Sequence, residues 1–445
     1  MDFTRGSISK SIFVFSIPIV LGNLFQQLYS LSNSIFVGNY LGVDELAAVG
    51  SVYPMTFFIT SIILGIGSGG SVVVSHYYGA KDYTTIHKVI STFYIFFIVL
   101  GFVICVLGIV FAKEIFSLLY LTESVFPLAV TYFRIYMIGM FFSVIFHSAV
   151  SILRGLGDAT TQLYFLIPAN ILNIFLSYIF LGPMHLGIEA SAWASFIAQF
   201  LAFVSIFIFL RIKHEFVHLP SLKHLYFNKI HLKQIINIGV PTGFQQSIVS
   251  LNQILILYLV TSFGTNAVAG YTSAVRVESF ALILVLNIGQ SLTSFVGTNI
   301  GAKKIGRAKQ GLFASMKIMA MVSLFILIIF CLCSEELIRL FTLKTEVVRI
   351  GGEYLLTDGL FWVLFGVMMM FTSYFRGVGY AFTTLIISFI TLLLVRFPLS
   401  WFLSVKYGTL GIWLGAPVAW LLAIVIYVFC FRYFKIKTSR VLDSV

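Results

Sequence analysis

The sequence predicts an all-α membrane protein of twelve transmembrane helices, arranged as two pseudo-symmetric six-helix lobes in a parallel internal repeat. Three observations carry that prediction. Hydrophobic residues make up 59% of the chain and charged residues 10%, with a mean hydropathy of +1.02, whereas soluble domains carry charge on about a quarter of their residues. Apolar runs of about 20 residues, the length that crosses ~30 Å of hydrocarbon, recur along the whole chain. The chain also contains one device twice. Gly79-Ala80-Lys81 recurs as Gly301-Ala302-Lys303, and Arg154-Gly155-Leu156-Gly157 as Arg376-Gly377-Val378-Gly379, each 222 positions later in a chain of 445. Gly42 and Gly264, Ser51 and Ser273, and Ile66-Gly67 and Ile288-Gly289 keep the same offset.

Taken in order, the spans fall at roughly 12–38, 47–75, 88–112, 127–150, 161–181, 187–211, 232–262, 268–298, 311–333, 346–373, 381–404 and 408–434. The first is too long for a signal-peptide core and lacks a small-residue cleavage site, so it reads as a retained span. The longest polar stretch, 211–233, reads as the linker between an N-terminal lobe (1–210) and a C-terminal lobe (234–445). Six spans per copy is an even number, so both copies enter the membrane in the same direction. That relates them by an axis along the membrane normal, with a binding site expected between them. Pro18 and Pro241 open the first span of each copy, and Pro54, Pro168, Pro398 and Pro417 interrupt others. Such residues are tolerated at depth where neighbours or cavity water satisfy the freed carbonyls.

Of 28 Lys and Arg residues, 20 lie at the termini, in the linker and in the loops after even-numbered spans. Five lie in the opposite loops, and Arg134, Arg276 and Arg396 lie within spans. The bias places both termini in the cytoplasm and the protein in the cytoplasmic (inner) membrane. The net charge of +12 then faces anionic membrane lipids, and no nucleic acid is expected as a partner. All four cysteines sit inside apolar runs, where they behave as small hydrophobes rather than a disulfide framework or metal site. No histidine has metal-ligand spacing, and no cofactor is implied. Neither a nucleotide-binding loop nor a nucleophile constellation is present, which disfavours an ATP-driven pump or an enzyme.

Residues 28–50, LYSLSNSIFVGNYLGVDELAAVG, together with GAKD at 79–82, LRGLGD at 153–158, RVESFA at 276–281 and FVGTNIGA at 295–302, resemble the multidrug and toxic-compound extrusion (MATE) family. The resemblance covers essentially the whole chain and is nearest to the bacterial multidrug exporters. It implies a V-shaped pair of six-helix lobes that rock around a central cavity, a monomer exchanging an external cation for small amphipathic, often cationic, compounds. Relatives commonly carry an aspartate where Asn33 stands and another where Ser177 follows Asn173, so this chain lacks both carboxylates of the N-terminal lobe. Two alternatives remain: a lipid-linked precursor flippase of the same superfamily, and a non-transporting membrane scaffold.

Ionisable groups at membrane depth are costly and point to function. Glu278 and Asp358 each lie roughly 15–18 Å below the outer surface at 1.5 Å rise per residue, close to the midplane. Two carboxylates on different helices at one depth could bind Na⁺ or carry a proton, and they are the ion-coupling candidates. Arg276 needs a partner on another helix, and Asp358 is one option. Arg134 reads as structural, or as an anchor for an anionic group, rather than catalytic. In the N-terminal half, Gln26, Tyr29 and Asn33 share one helix face and Asn173 and Ser177 another. By the resemblance these faces line the cavity, as do Tyr136 (the counterpart of Asp358) and Arg276. The plainer reading is hydrogen bonding between spans. Gln245, Gln246, Asn252 and Gln253 are the counterparts in span 7.

Overall fold

In hydrocarbon no water pairs with a bare N–H or C=O, so an apolar run satisfies its backbone within itself and becomes a helix. The computed structural model describes residues 1–119, 121–212 and 226–433. Every described apolar run is helical. In chain order the helices are α1 (Ile8–Tyr40), α2 (Val43–Gly79), α3 (Tyr83–Val110), α4 (Ala112–Ser117), α5 (Val125–Gly155), α6 (Leu163–Leu181) and α7 (Ile188–Ile212). The second copy supplies α8 (Lys229–Thr261), α9 (Thr265–Gly301), α10 (Ile305–Arg339), α11 (Thr345–Val378), α12 (Ala381–Ser388), α13 (Phe397–Tyr407) and α14 (Thr409–Tyr433), with a π-helical segment, Phe389–Arg396, joining α12 to α13. Counting α12 through α13 as one crossing, twelve spans are long and apolar enough to cross a membrane. Most of the expected linker, residues 213–225, and the tail beyond 433 lie outside the described residues.

Two compact units emerge: Ile17–Ile236, and Asn237–Val445 together with Met1–Ser16. The boundary falls inside α1 and inside α8, not in the linker. The reason is visible at both helix starts. Phe3 is fully buried and packs edge-on against Phe15 and Phe295. Its carbonyl accepts from Asn299 Nδ2 and Arg307 Nε, so the N-terminal arm belongs with α9 and α10. The chain entering α8 instead pairs with α3, where Ser91 Oγ accepts from the Tyr226 amide and Thr92 Oγ1 from the Asn228 amide.

Within each unit the same small-residue contacts set the helix spacing. In the first, Gly67 faces Ser151, and a Cβ on Gly155 would sit 2.7 Å from the Ser71 carbonyl and 2.9 Å from Val74 Cβ. In the second, Gly289 faces Ser373, and a Cβ on Gly377 would sit 2.7 Å from the Thr293 carbonyl and 2.9 Å from Val296 Cβ. Every residue here is displaced by 222. These glycines let α2 close on α5, and α9 on α11, as small residues do at membrane helix interfaces. The repeated loops also match. Gly79 and Gly301 end their helices, but the left-handed turn falls on Lys81 and Lys303, each with φ near 60°. Gly157 (φ 79°) and Gly379 (φ 101°) supply a second matched left-handed turn, which glycine adopts without steric cost.

The prolines differ in effect. Helices α1, α2, α6, α8 and α14 run through Pro18, Pro54, Pro168, Pro241 and Pro417 without interruption. At Pro398, by contrast, the preceding two turns relax into the π-helical segment. A proline removes an amide donor and crowds the carbonyl four residues before it, and a wider turn accommodates both.

Candidate functional sites

Each unit buries a polar cluster within its spans, and the two are built from different chemistry. In the first unit, Asn33 on α1 accepts from Ser191 Oγ at 2.7 Å and donates to the Tyr132 hydroxyl at 3.4 Å. Asn173 on α6 donates to Ser195 Oγ and accepts from Ser177 Oγ, both at 3.2 Å. Tyr29 meets Ser195 at 3.1 Å, and Tyr132 stacks on Tyr136. These bonds tie α1, α5, α6 and α7 together without a single charge.

Beside this network lies a cavity of about 90 Å³. Gln26, Tyr29, Tyr136 and Asn173, all expected from the sequence, line it. Asn33 and Ser177 do not; Asn33 is engaged in bonds to α5 and α7, and Ser177 donates to Asn173 one turn back on α6. The wall also carries Thr60, Ser143, His147, Asn170 and Gln199, which the sequence reading did not assign to it. Two had a legible signal. Asn170 shares a helix face with Asn173 three residues on, and Gln199 is a lone amide in an apolar run. His147, in the C-terminal half of α5, faces the cavity. Arg134 Nε donates to the Ile109 carbonyl at the end of α3.

The second unit holds the charges. Glu278 on α9 accepts from the Tyr354 hydroxyl at 2.6 Å. The Tyr354 ring meets Trp413 edge-on, and Trp413 stacks flat on Tyr271. One turn beyond Tyr354 on α11, Asp358 is 5% exposed, and its Oδ2 has no hydrogen-bond partner. The pairing of Arg276 with Asp358 considered from the sequence is not found. Arg276 is exposed, because two residues along α9 from Glu278 turns a side chain away from the cluster. The guanidinium whose charge reaches Glu278 and Asp358 is Arg396, at the end of the π-helical segment. The sequence flags Arg396 as a charge at membrane depth, but only the folded chain packs its segment against α14 and Asn252 of α8. Among the described residues no group of three His, Cys, Asp or Glu could hold a metal ion.

Buried polar clusters set on duplicated, closely packed membrane spans define a multi-pass membrane transport protein. The MatE family model matches residues 18–179 and again 241–402, the same two copies read from the sequence and seen in the packing. The chain therefore belongs to the MatE family of multidrug and toxic-compound extrusion transporters, whose members are transporters and not enzymes. It is similar to a probable multidrug resistance protein, YoeA, of Bacillus subtilis, at 28% identity over 95% of this chain and 93% of the relative. It is also similar to a FAD transporter of Shewanella oneidensis, at 25% identity over 93% and 92% of the two chains. Among solved structures, an outward-facing multidrug resistance MATE family transporter of the MOP superfamily superposes with a TM-score of 0.91 at 25% identity, covering 99% of this chain and 98% of its own.

Proposed function

We propose that this protein is a secondary-active exporter. It exchanges H⁺ or Na⁺ for small amphipathic, often cationic, compounds by alternating access. It would act as a monomer in the cytoplasmic membrane, with lobes 1–210 and 234–445 joined by 211–233 and both termini in the cytoplasm. Glu278 and Asp358 are the coupling carboxylates. Gln26, Tyr29, Tyr136 and Asn173 contact the substrate, with Asn33 and Ser177 holding that wall in shape and Arg276 near the path.

The observation that carries this reading is a half-buried Glu278 bonded to Tyr354 and a buried Asp358 one turn along the same helix from Tyr354, with an unpartnered oxygen, both at membrane depth. A charge is retained at such depth at a cost of several kcal/mol unless it is used or paired. The wall of the first cavity is neutral and holds no lysine or arginine, which suits an amphipathic organic compound better than a polyanion. That does not favour a flippase for polyanionic lipid-linked precursors.

The experiment is efflux of a fluorescent cation from proteoliposomes under an imposed pH or Na⁺ gradient, for wild type and Glu278→Gln. One gradient driving efflux in the wild type, with loss in the variant, is the expected result. A dye that moves under neither gradient overturns the exporter reading. Coupling that survives Glu278→Gln removes the carboxylates from it.

A further inference from the structure

Helices α3 and α10 are equivalent in the repeat, yet α10 alone carries lysines along an exposed face. Lys309, Phe313 and Lys317 follow one another at spacings of four, and all three are exposed. The same positions of α3 are His87, Ser91 and Ile95. There Ser91 is buried and accepts from the Tyr226 amide at 2.8 Å, so the chain itself covers that face. The face of α10 stays open.

Lys317 stands inside the apolar run, about 18 Å along α10 from Ile305 at 1.5 Å rise per residue. An ammonium exposed at such depth is costly. Its apolar stem lets the charge reach for the membrane surface, and helical side chains lean toward the N-terminus of their helix, here toward Lys309. No carboxylate meets either lysine. The ion pairs among the described residues join Arg339 to Glu335 and Glu336 and Arg349 to Glu346 and Glu353, at the other end of α10 and the start of α11. Lys309 Nζ lies 5.5 Å from the centre of the Phe431 ring, and that ring meets Phe313 edge-on at 6.2 Å. Phe431 thus walls one side of the face with α14.

Beyond Lys317 the face turns apolar. Met321, Leu324, Ile328 and Leu332 are all exposed, and from Met321 to Leu332 they cover about 16 Å. That is roughly half of a ~30 Å hydrocarbon core, the depth of one leaflet. Two cations at the membrane surface followed by one leaflet of apolar side chains complement an anionic phospholipid along its whole length. Basic surfaces between membrane helices bind anionic headgroups in this way.

We propose that the Lys309–Phe313–Lys317 face of α10, bounded by Phe431, binds one anionic phospholipid. The headgroup phosphate bridges the two ammonium groups, and an acyl chain lies along Met321, Leu324, Ile328 and Leu332. The first copy has no such site, because Ile95 stands where Lys317 does and Ser91 is covered.

The test is native mass spectrometry of the purified full chain, released from detergent micelles holding phosphatidylglycerol and phosphatidylcholine in equal amounts. Wild type is expected to retain one phosphatidylglycerol at least tenfold in preference to phosphatidylcholine. Lys309→Gln/Lys317→Gln should lose that preference. Lys81→Gln/Lys88→Gln removes the same charge from exposed lysines of the first copy and should keep it. Wild type that takes the two lipids alike overturns the proposal. So does a Lys81→Gln/Lys88→Gln protein that loses as much as the α10 variant, since the preference then belongs to overall charge. Should the α10 double variant fail to fold, Lys317→Leu decides, because it installs the kind of residue that α3 carries at Ile95. It should lower the preference at least threefold, and a folded Lys317→Leu protein with the wild-type preference overturns the site.

Discussion

The two copies share a backbone and differ in what they bury. At positions 222 apart, Tyr136 stands opposite Asp358, Thr56 opposite Glu278, and Tyr132 opposite Tyr354. At the 223-residue shift between the two family matches, Asn173 stands opposite Arg396. One copy therefore fills a set of equivalent sites with hydroxyls and amides, and the other fills it with two carboxylates and a guanidinium. The packing contacts around those sites, Gly67 on Ser151 and Gly289 on Ser373, have stayed the same. Backbone approach and buried chemistry are thus separable. The first is set by small residues that cannot grow without a clash, and the second by side chains that can be exchanged where the cavity permits.

The largest expected effect tests the charged half. Glu278→Gln should reduce gradient-driven efflux by about tenfold or more, equivalent to roughly 1.4 kcal/mol in the coupled step, whereas Tyr136→Phe in the neutral half should keep most of it. Initial rates in proteoliposomes decide, and equal losses would erase the division of labour between the copies.

Next come the shared contacts. Gly155→Ala and Gly377→Ala each drive a methyl group to 2.7 Å from a backbone carbonyl, and overpacking of this kind costs about 1–3 kcal/mol. Both should lower the melting temperature in detergent by similar amounts. A marked inequality would mean that the two copies pack less alike than their geometry indicates.

A smaller effect separates the repeated loops. Asp82 caps α3 by accepting from the Thr85 amide at 3.0 Å and the Thr84 hydroxyl at 2.7 Å. Its counterpart, Lys304, caps nothing with its side chain and donates instead to the Thr4 carbonyl. Partial burial works upward on the Asp82 carboxyl, but the Thr85 and Thr84 hydrogen bonds and the Lys88 charge outweigh it and hold it below its ordinary value. Its stabilisation is therefore present above the ordinary carboxylate value and fades as pH falls through the lower folded-state value. Asp82→Ala should cost about 1 kcal/mol at neutral pH, and melting curves of wild type and variant should converge in strong acid. A gap that stays constant with pH would remove the carboxylate from the account.

The smallest effect lies in the neutral network. Ser177→Ala deletes one bond to Asn173 within α6, which should cost no more than the ~0.6 kcal/mol typical of polar bonds between membrane helices. Dye affinity should be unchanged, because Ser177 does not line the cavity. A large loss of affinity would place Ser177 on the substrate path.

The sequence by itself determined the class of fold, the duplication and the number of spans. Hydrocarbon leaves an apolar run of that length one structure, and a constant offset in motifs survives without any contact being known. It also marked Glu278 and Asp358, because a carboxylate in an apolar run is conspicuous wherever the helix points. The tertiary structure alone decided where the other charges lie. Arg276 is two residues from Glu278 in the chain yet turns outward, while Arg396, more than a hundred residues away, is brought in by a π-helical turn ahead of Pro398 and held by Asn252. It likewise decided that Asn33 and Ser177 stand behind the cavity wall while His147 and Gln199 form part of it. Which face of a helix looks into a cavity depends on the rotation of its neighbours, and that is settled by packing among α1, α5, α6 and α7, not by spacing along any one of them.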